Sequence, residues 1–211
     1  MPKRIIGVSK RLIDAAKKEF LTNGFEGASI RTIARDAETS PRAVYTRFEN
    51  KEELFAAVIE PVYSDFMKMF YSDKEKYWQM ARDRDFNTLP EEIYKRYLDY
   101  AYSHRDAFYL ILKCSKGTRF ENFTKNLSQT DLKNVRENLP KIIDEVSAKD
   151  YTESSRLFLE NITCAFYDAL FSPLVEGVPL DVAKDYITKL TQFYSDGILS
   201  GIERETGVNL N

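Results

Sequence analysis

The chain is poor in the residues that build metal centres, disulfide frameworks and catalytic dyads. Its 211 residues include two cysteines and one histidine. Cys114 and Cys164 stand far apart and form no Cys-x-x-Cys pair, so we interpret both as small hydrophobic residues of a core. We interpret His104 as an exposed residue at a helix end rather than as a catalytic base. We therefore expect no metal site, no cofactor and no catalytic residue, and keep an enzyme as one alternative.

Long apolar runs and the motifs of common enzymes are also missing. No stretch approaches the ~18 apolar residues that span a bilayer, and the N-terminal residues lack the apolar core of a signal peptide. Neither a Gly-rich phosphate loop nor a nucleophile motif occurs. With 43% hydrophobic and 30% charged residues, the composition is that of an ordinary folded protein. We expect a cytoplasmic protein with no membrane partner.

Strand-like alternation of apolar and polar residues is absent, whereas helical spacing recurs along the chain. Leu12, Ala16 and Phe20 lie four residues apart. They predict a first helix over about residues 5–23 that ends at Gly24. In total we predict an all-α fold of about nine helices, with a three-helix N-terminal head and a larger C-terminal helical bundle.

Three potential N-caps mark the helices that follow. Ser29 can cap a second, short helix. Ser40, followed by Pro41 at the first helical position, can begin a third helix over about residues 41–48. Asn50 can cap a fourth helix. The second and third helices are thus predicted to be short and joined by a tight turn.

Prolines and polar segments divide the rest of the chain. Pro61 is predicted to kink the fourth helix. Part of the segment 71–90 is polar, and its pattern leaves a helix and a linker both open. Helical spacing resumes after Pro90, and Pro140 is expected to bend or break the next long helix. The last helices are predicted over about residues 121–147, 152–172 and 180–204.

Charge is distributed unevenly along the chain. Residues 1–51 hold eleven Lys and Arg and six Asp and Glu, a net charge of +5. The remaining residues hold 20 basic and 27 acidic residues, a net charge of −7. A basic segment attracts phosphates, so this asymmetry favours nucleic-acid contacts in the first part of the chain.

Two short helices joined by a tight turn are the elements of a helix-turn-helix. The second helix would face a major groove, where Arg can pair bidentately with guanine and an Ala or Thr methyl can touch a thymine methyl. Arg42, Ala43 and Thr46 have matching side chains, and Tyr45 could give its hydroxyl to a phosphate. The other interpretation is a generic αα-hairpin whose basic residues lie on a solvated face.

The sequence of this region resembles the TetR/AcrR family of tetracycline-repressor-like regulators. The segments FEGASIRTIA at residues 25–34 and PRAVYTRFENKEEL at residues 41–54 carry the resemblance. It implies a helix-turn-helix DNA-binding domain at residues 1–51. It also implies a helical effector-binding and dimerisation domain at residues 52–211.

The resemblance places DNA contacts on both short helices and at the start of the fourth. Tyr45 and Lys51 are expected to touch phosphates, while Arg42 and Thr46 are expected to read bases. The implied DNA contacts are Ser29, Arg31, Ser40, Arg42, Ala43, Tyr45, Thr46 and Lys51.

The turn between the two short helices departs from the family pattern. Many members have Gly-Val where this chain has Glu38-Thr39. A left-handed backbone at Glu38 would cost about 1 kcal/mol, unless the turn closes differently.

The body is expected to hold a small-molecule pocket, because family members place one there. Aromatic and polar residues within apolar stretches are candidates to orient the ligand, and the other interpretation is that they are core tyrosines and a satisfied buried amide. The candidate ligand residues are Tyr97, Tyr100, Cys114, Asn161 and Tyr167.

The last two helices are expected to form a homodimer contact, although the same apolar spacing occurs in packing within one chain. A dimer would place two recognition helices in successive major grooves about 34–36 Å apart, so the DNA partner should be a near-palindromic operator. The candidate dimer residues are Ala165, Phe166, Ala169, Ile187, Leu190, Tyr194, Ile198 and Gly201.

These patterns together predict a DNA-binding transcriptional regulator. We expect a repressor that an unidentified small-molecule effector releases from its operator. The alternative is an effector-independent or activator-type regulator whose body binds a protein partner. A body cavity of about 300–1,000 Å³ would favour the ligand, and a filled core would favour the alternative.

Overall fold

The computed structural model describes residues 3–82, 91–142 and 152–206. Within these ranges every regular element is an α-helix, and the helices number nine. The predicted all-α fold is confirmed. The helices are α1 (Lys3–Gly27), α2 (Ile30–Asp36), α3 (Pro41–Tyr45), α4 (Lys51–Arg82), α5 (Glu91–Ser103), α6 (Arg105–Lys113), α7 (Phe123–Ile142), α8 (Glu153–Glu176) and α9 (Leu180–Thr206).

Helix α1 is interrupted rather than ended at its glycine. Gly24 has φ 66° and ψ 174°, and one further turn continues to Gly27. Glycine tolerates this φ because it has no Cβ. The sequence therefore located the break correctly, while the helical assignment extends beyond it.

The three predicted N-caps are confirmed by their hydrogen bonds. The hydroxyl of Ser29 accepts from the backbone N–H of Thr32 at 3.4 Å, and Ser40 accepts from Ala43 at 3.2 Å. The Asn50 side-chain oxygen accepts from the N–H of the third residue of α4 at 2.9 Å. Each cap satisfies a backbone donor that the first turn of a helix leaves without an intrahelical partner.

Helix α4 continues through Pro61, which lies on an exposed position. An exposed proline removes one backbone hydrogen bond without burying its loss, and here it does not end the helix. Residues 71–82 are helical, which decides between helix and linker for that part. Residues 83–90 lie outside the described residues.

Two later helices differ from the predicted bounds. Helix α8 passes through Pro173 and ends at Glu176, beyond the predicted end. Helix α7 includes Pro140 and extends to Ile142, and the remainder of its predicted range lies outside the described residues. No described helix is long and apolar enough to cross a membrane.

The chain divides into two compact units. Unit 1 comprises the residues up to Met67 together with His104–Phe123, and unit 2 comprises Lys68–Ser103 and the chain from Thr124 onward. Unit 1 thus contains α6 and the segment after it in addition to the predicted DNA-binding domain. The functional division at residue 51 stays a prediction.

Aromatic side chains form the core of unit 1. Phe55 is fully buried, and its ring centroid lies 5.0 Å from that of Phe20 and 5.6 Å from that of Phe25. Phe120, in the segment after α6, lies 6.2 Å from Phe55. The N–H of Phe25 also donates to the carbonyl of Cys114 at 2.8 Å. These contacts hold α1, α4 and the segment after α6 together beneath the two short helices.

Candidate nucleic-acid interface and ligand cleft

Helices α2 and α3 form a helix-turn-helix with a buried inner side. Ile33 and Ala34 of α2 are fully buried, and Val44 of α3 is 1% exposed. The N–H of Thr39 donates to the carbonyl of Ala34 at 2.8 Å and closes the turn. Small and branched apolar side chains on the inner side leave the outer side of α3 for other contacts.

Glu38 adopts the left-handed backbone that the sequence raised as a possibility. Its φ is 52°, and among the described residues it is the one non-glycine residue with a positive φ. Its carboxylate accepts from the Arg11 guanidinium at 2.8 Å. The turn therefore keeps the shape that glycine would give it, at a strain cost of about 1 kcal/mol.

The outer side of α3 presents basic and aromatic side chains to solvent. Arg42 and Arg47 are exposed, and Tyr45 is 53% exposed. The Thr46 hydroxyl donates to the carbonyl of Arg42 at 2.9 Å, and Arg47 donates to the carbonyl of Ala43 at 2.7 Å. Thr46 is the C-cap of α3 rather than a residue of its interior. Helix α3 therefore carries exposed polar side chains near both ends, Arg42 in its first turn and Thr46 at its C-cap.

Lys51 has a structural role that sequence reasoning missed. Its ammonium donates to the carbonyls of Glu26 and Ala28, each at 3.2 Å. It also lies 4.6 Å from the centroid of the Phe25 ring. Lys51 therefore ties the start of α4 to the end of α1, because a lysine can satisfy the last carbonyls of a helix. The position of this cation next to α2 keeps it a candidate phosphate contact.

The eight predicted DNA contacts all belong to unit 1. Three of them are half-buried: Ser29, Ala43 and Lys51. The backbone N–H of Ser29 donates to the Glu19 carboxylate at 3.0 Å, so this helix start already has an anionic partner. The exposed members are Arg31, Ser40, Arg42, Tyr45 and Thr46.

Comparison with known proteins identifies this region. Residues 12–58 match the family model described as bacterial regulatory proteins of the tetR family. This segment of the chain is therefore similar to the regulators of that family. The matched segment includes α2, α3 and the start of α4, the elements whose geometry is described above.

Curated relatives match the same part of the chain. The nicotine-responsive transcriptional repressor HdnoR of Paenarthrobacter nicotinovorans is 48% identical over 56 residues, which cover 26% of this chain and 29% of the relative. A helix-turn-helix transcriptional repressor of Streptomyces coelicolor is 42% identical over 50 residues, which cover 24% of this chain and 26% of the relative. The chain therefore matches about a quarter of the length of these curated relatives.

A solved structure extends the likeness to most of the chain. A TetR-like transcriptional regulator from Rhodococcus sp. RHA1 superposes with a TM-score of 0.57 at 21% identity, covering 93% of this chain and 99% of the other. At this identity the match establishes a shared fold.

The predicted ligand residues are not gathered in one place. Tyr97 and Tyr167 are fully buried in unit 2, and Tyr100 is half-buried in the same unit. Cys114 is buried but belongs to unit 1. Asn161 is exposed, and its amide donates to the carbonyl one turn earlier at 2.8 Å. The interpretation of Asn161 as a buried amide is wrong. Leu157 and Phe158, which lie on the same face of the helix, are exposed as well.

A buried ion pair lies beside the two buried tyrosines. The Lys74 ammonium donates to the Asp131 carboxylate at 2.9 Å and to the Tyr94 hydroxyl at 3.5 Å. The Tyr167 hydroxyl donates to the same oxygen of Asp131. The Lys74 side chain is 9% exposed and that of Asp131 is 17% exposed. Sequence reasoning missed both residues. A signal for Lys74 was present, because Phe66, Phe70 and Lys74 are spaced by four residues and so lie on one apolar face of α4.

The surroundings of Lys74 keep its side chain protonated. Burial lowers the pKa of Lys74, but the Asp131 carboxylate and the neighbouring tyrosine oxygens outweigh it, so the pKa of Lys74 lies above its ordinary value. Burial raises the pKa of Tyr167, and the Asp131 carboxylate raises it further. At neutral pH Lys74 is therefore an ammonium and Tyr167 a neutral phenol.

A cleft of about 340 Å³ opens beside Lys74. One wall is the outer half of α4, with Tyr71, Lys74 and Trp78. The other wall is α7, with Thr130 and Asn134 among its residues. The volume lies within the range of small-molecule sites, about 300–1,000 Å³.

The predicted dimer residues divide into core and surface. Ile187 is fully buried and Phe166 is 7% exposed, with its ring 4.7 Å from that of Tyr94. These two residues belong to the core of unit 2, so their assignment to a dimer surface is wrong. Ala165 is exposed, while Ala169, Leu190 and Tyr194 are half-buried. The side chains of Ile198 and Gly201 lie outside the described residues.

Large exposed apolar side chains occur elsewhere on the last two helices. Phe193 of α9 is 71% exposed, and Leu157 and Phe158 of α8 are 56% and 64% exposed. A Cβ at Gly197, one turn after Phe193, would meet nothing within 4 Å. These positions are the better candidates for a contact between chains.

Proposed function

We propose that the chain is a DNA-binding transcriptional regulator that acts as a repressor. The observation that carries this proposal is the capped α2–turn–α3 unit, whose outer side exposes Arg42 and Tyr45. The curated relatives that match this segment are repressors, which supports the same direction of control. Arg42 reads a base and Tyr45 donates to a phosphate in this proposal.

The regulator acts as a homodimer in this proposal. Two copies place two α3 helices in successive major grooves, about 34–36 Å apart, on a near-palindromic operator. The exposed Phe193, with open space at Gly197 one turn away, offers a ridge and a gap that can interlock across a twofold axis. Ala165 and the aromatic ring of Phe158 are further exposed apolar groups, on α8.

A small-molecule effector releases the operator in this proposal. The open cleft between α4 and α7, of about 340 Å³, is the surface of the body that supports a ligand in this proposal. Helix α4 is continuous from Lys51, beside the DNA-binding residues, to the cleft wall at Trp78. A shift of this helix on ligand binding would therefore move Lys51, which contacts the end of α1.

Selection of bound sequences from random double-stranded DNA tests this proposal. We expect a near-palindromic consensus that the full chain binds as a dimer. Fluorescence anisotropy on that operator should then show that Arg42→Ala loses discrimination at one base pair per half-site, about 1–3 kcal/mol, because a bidentate contact is removed.

The matched control is Arg35→Ala. Arg35 is an exposed arginine of α2 that pairs with Asp36 at 3.0 Å, so its loss changes the net charge equally. We expect Arg35→Ala to keep the base preference of the wild-type chain. Unchanged sequence preference in Arg42→Ala would contradict the base-reading role, and no enriched sequence in the selection would contradict DNA-binding regulation itself.

A further inference from the structure

The buried surroundings of Lys74, a residue that lines the α4–α7 cleft, have the parts of a site for an organic ammonium ion. Three aromatic rings surround the Lys74 ammonium: its Nζ lies 5.3 Å from the centroid of Phe70, 5.3 Å from that of Tyr94 and 5.8 Å from that of Tyr167. The Asp131 carboxylate lies 2.9 Å from the same nitrogen. Aromatic faces and a carboxylate are the groups that recognise alkylammonium ligands in proteins.

Lys74 reaches this site from the wall of the cleft. Its side chain lines the opening together with Tyr71 and Trp78, which share its face of α4. A lysine has a flexible four-carbon stem, so its ammonium can move toward solvent without a change of the helix. The carboxylates of Glu75 and Glu137 lie at the exposed rim of the same cleft and can receive it there.

We propose that the cleft binds a small organic ammonium with a flat apolar body, whose cation replaces the Lys74 ammonium at Asp131 and the three rings. The flat body lies against Trp78 and Tyr71 at the opening. This inference rests on the proposed function for its regulatory meaning, since it names the class of effector that the body would receive.

Charge balance distinguishes this class from an anion. The Lys74–Asp131 pair is neutral as a unit, and exchange of one cation for another keeps it so. An anionic ligand would add a second negative charge next to the half-buried carboxylate of Asp131. A neutral ligand that displaced Lys74 would leave this carboxylate without its cation. Both changes carry the cost of an unbalanced buried charge.

The tryptophan of the cleft provides the measurement. Trp78 is the one tryptophan in the sequence, so the tryptophan emission of the full chain reports on the cleft directly. The probes are 2-phenylethylammonium, 3-phenylpropionate and 3-phenylpropan-1-ol, which share a phenyl ring and differ in charge. We expect the wild-type chain to show a saturable change with the ammonium and none with the carboxylate.

Substitutions separate the cation site from general binding. Lys74→Met removes the internal competitor, so it should bind 2-phenylethylammonium at least about tenfold more tightly than the wild type. The double variant Lys74→Met, Asp131→Asn keeps the shape of the site but removes its charge, and should lose at least about tenfold relative to Lys74→Met. Lys189→Met is the matched control, because Lys189 pairs with Asp185 on the exposed face of α9 at 2.6 Å.

Several results would overturn the inference. One is equal binding of the ammonium by Lys74→Met and Lys189→Met, and another is a preference for the carboxylate. If Lys74→Met does not fold, the wild-type titration with the three probes still decides, and an absent or charge-independent response refutes the site. These titrations contain no DNA. A chain that selects an operator but ignores the ammonium refutes this inference alone, while one that binds the ammonium but selects no operator refutes the proposed function alone.

Discussion

Glu38 combines a strained backbone with a charge pair at the turn of the helix-turn-helix. Its φ of 52° places the Cβ against the following carbonyl, which glycine avoids. Its carboxylate meets Arg11 on a surface where both side chains are more than half exposed. An exposed pair of this kind contributes under about 1 kcal/mol. The strain and the pair therefore nearly cancel in the free energy of unfolding.

Two substitutions at Glu38 separate these effects. Glu38→Gly and Glu38→Ala both remove the carboxylate, but only glycine relieves the left-handed backbone. We expect Glu38→Gly to be about 1 kcal/mol more stable than Glu38→Ala, measured by urea unfolding. Equal unfolding free energies of the two variants would mean that the turn is not strained in solution.

The environment of Asn161 shows why burial cannot be inferred from apolar residues that are close in the sequence. Phe158 and Ile162 flank it in the chain, which favoured a buried amide. On a helix, however, the residues that share a face stand three or four positions apart. The residues at those distances include Leu157, Phe158 and Ala165, all exposed. Asn161 therefore lies on a surface stripe that also carries large apolar side chains.

At the scale of elements, helix α4 carries the aromatic core of unit 1 through Phe55. Its ring contacts Phe20 of α1, Phe25 after the α1 break and Phe120 after α6. Arg119 adds polar contacts at the same place, because its backbone N–H donates to Glu52 at 2.8 Å. The segment after α6 therefore stabilises the start of α4. The spacing of residues in the sequence did not predict this contact.

Loss of the Phe55 ring should be costly for unit 1. Phe55→Ala removes a fully buried ring and leaves a cavity, so we expect a loss of about 3–5 kcal/mol in the free energy of unfolding. Phe55→Leu keeps most of the volume and is the matched control, with an expected loss below that of alanine. Chemical denaturation followed by circular dichroism measures both. A loss of less than about 1 kcal/mol in Phe55→Ala would contradict the packing described here.

The hydrogen bond between α8 and α7 at Tyr167 predicts a dependence of stability on pH. The pKa of Tyr167 is raised, so above about pH 10 the unfolded chain loses this proton while the folded chain keeps it. A raised pKa stabilises the fold below the unfolded pKa, and this contribution is lost as pH rises further.

Tyr167→Phe tests whether the stabilising contribution of this phenol is lost as the pH rises. At pH 8 the variant should be less stable than the wild type by about 1 kcal/mol, because the hydrogen bond to Asp131 is lost. Between pH 10 and 11 the deficit should shrink, since the wild type alone loses the phenol contribution. Urea midpoints at the two pH values measure the change, and a deficit that does not vary with pH would contradict the assignment.

For the molecule as a whole, the proposed dimer would form through surfaces that the unit 2 core leaves exposed. Phe166 and Ile187 pack inside unit 2, whereas Phe193 is 71% exposed on α9. A contiguous exposed apolar surface commonly marks a protein–protein contact. The proposed dimer should therefore depend on Phe193.

Phe193→Glu should convert the dimer to a monomer and weaken operator binding, because a charge would enter an apolar contact. Sedimentation velocity measures the first effect and anisotropy the second. Tyr109→Glu is the matched control, since Tyr109 is an exposed aromatic residue of α6. A Phe193→Glu chain that stays dimeric would move the interface away from this part of α9.

The helices, their caps and the position of the helix-turn-helix follow from patterns within short stretches of the sequence. Ser29, Ser40 and Asn50 act through backbone groups three residues away, and such local interactions are readable from spacing. The left-handed backbone at Glu38 was suggested instead by the family resemblance, because many members have glycine at this position.

The pairing of side chains from different helices became visible in the folded chain alone. Lys74 of α4 and Asp131 of α7 stand 57 residues apart, and no local pattern pairs them. The same limit placed Ile187 on a dimer surface instead of in a core, and hid the contact of Lys51 with the end of α1. Helical periodicity identifies an apolar face, but the partner that covers it is chosen by long-range packing.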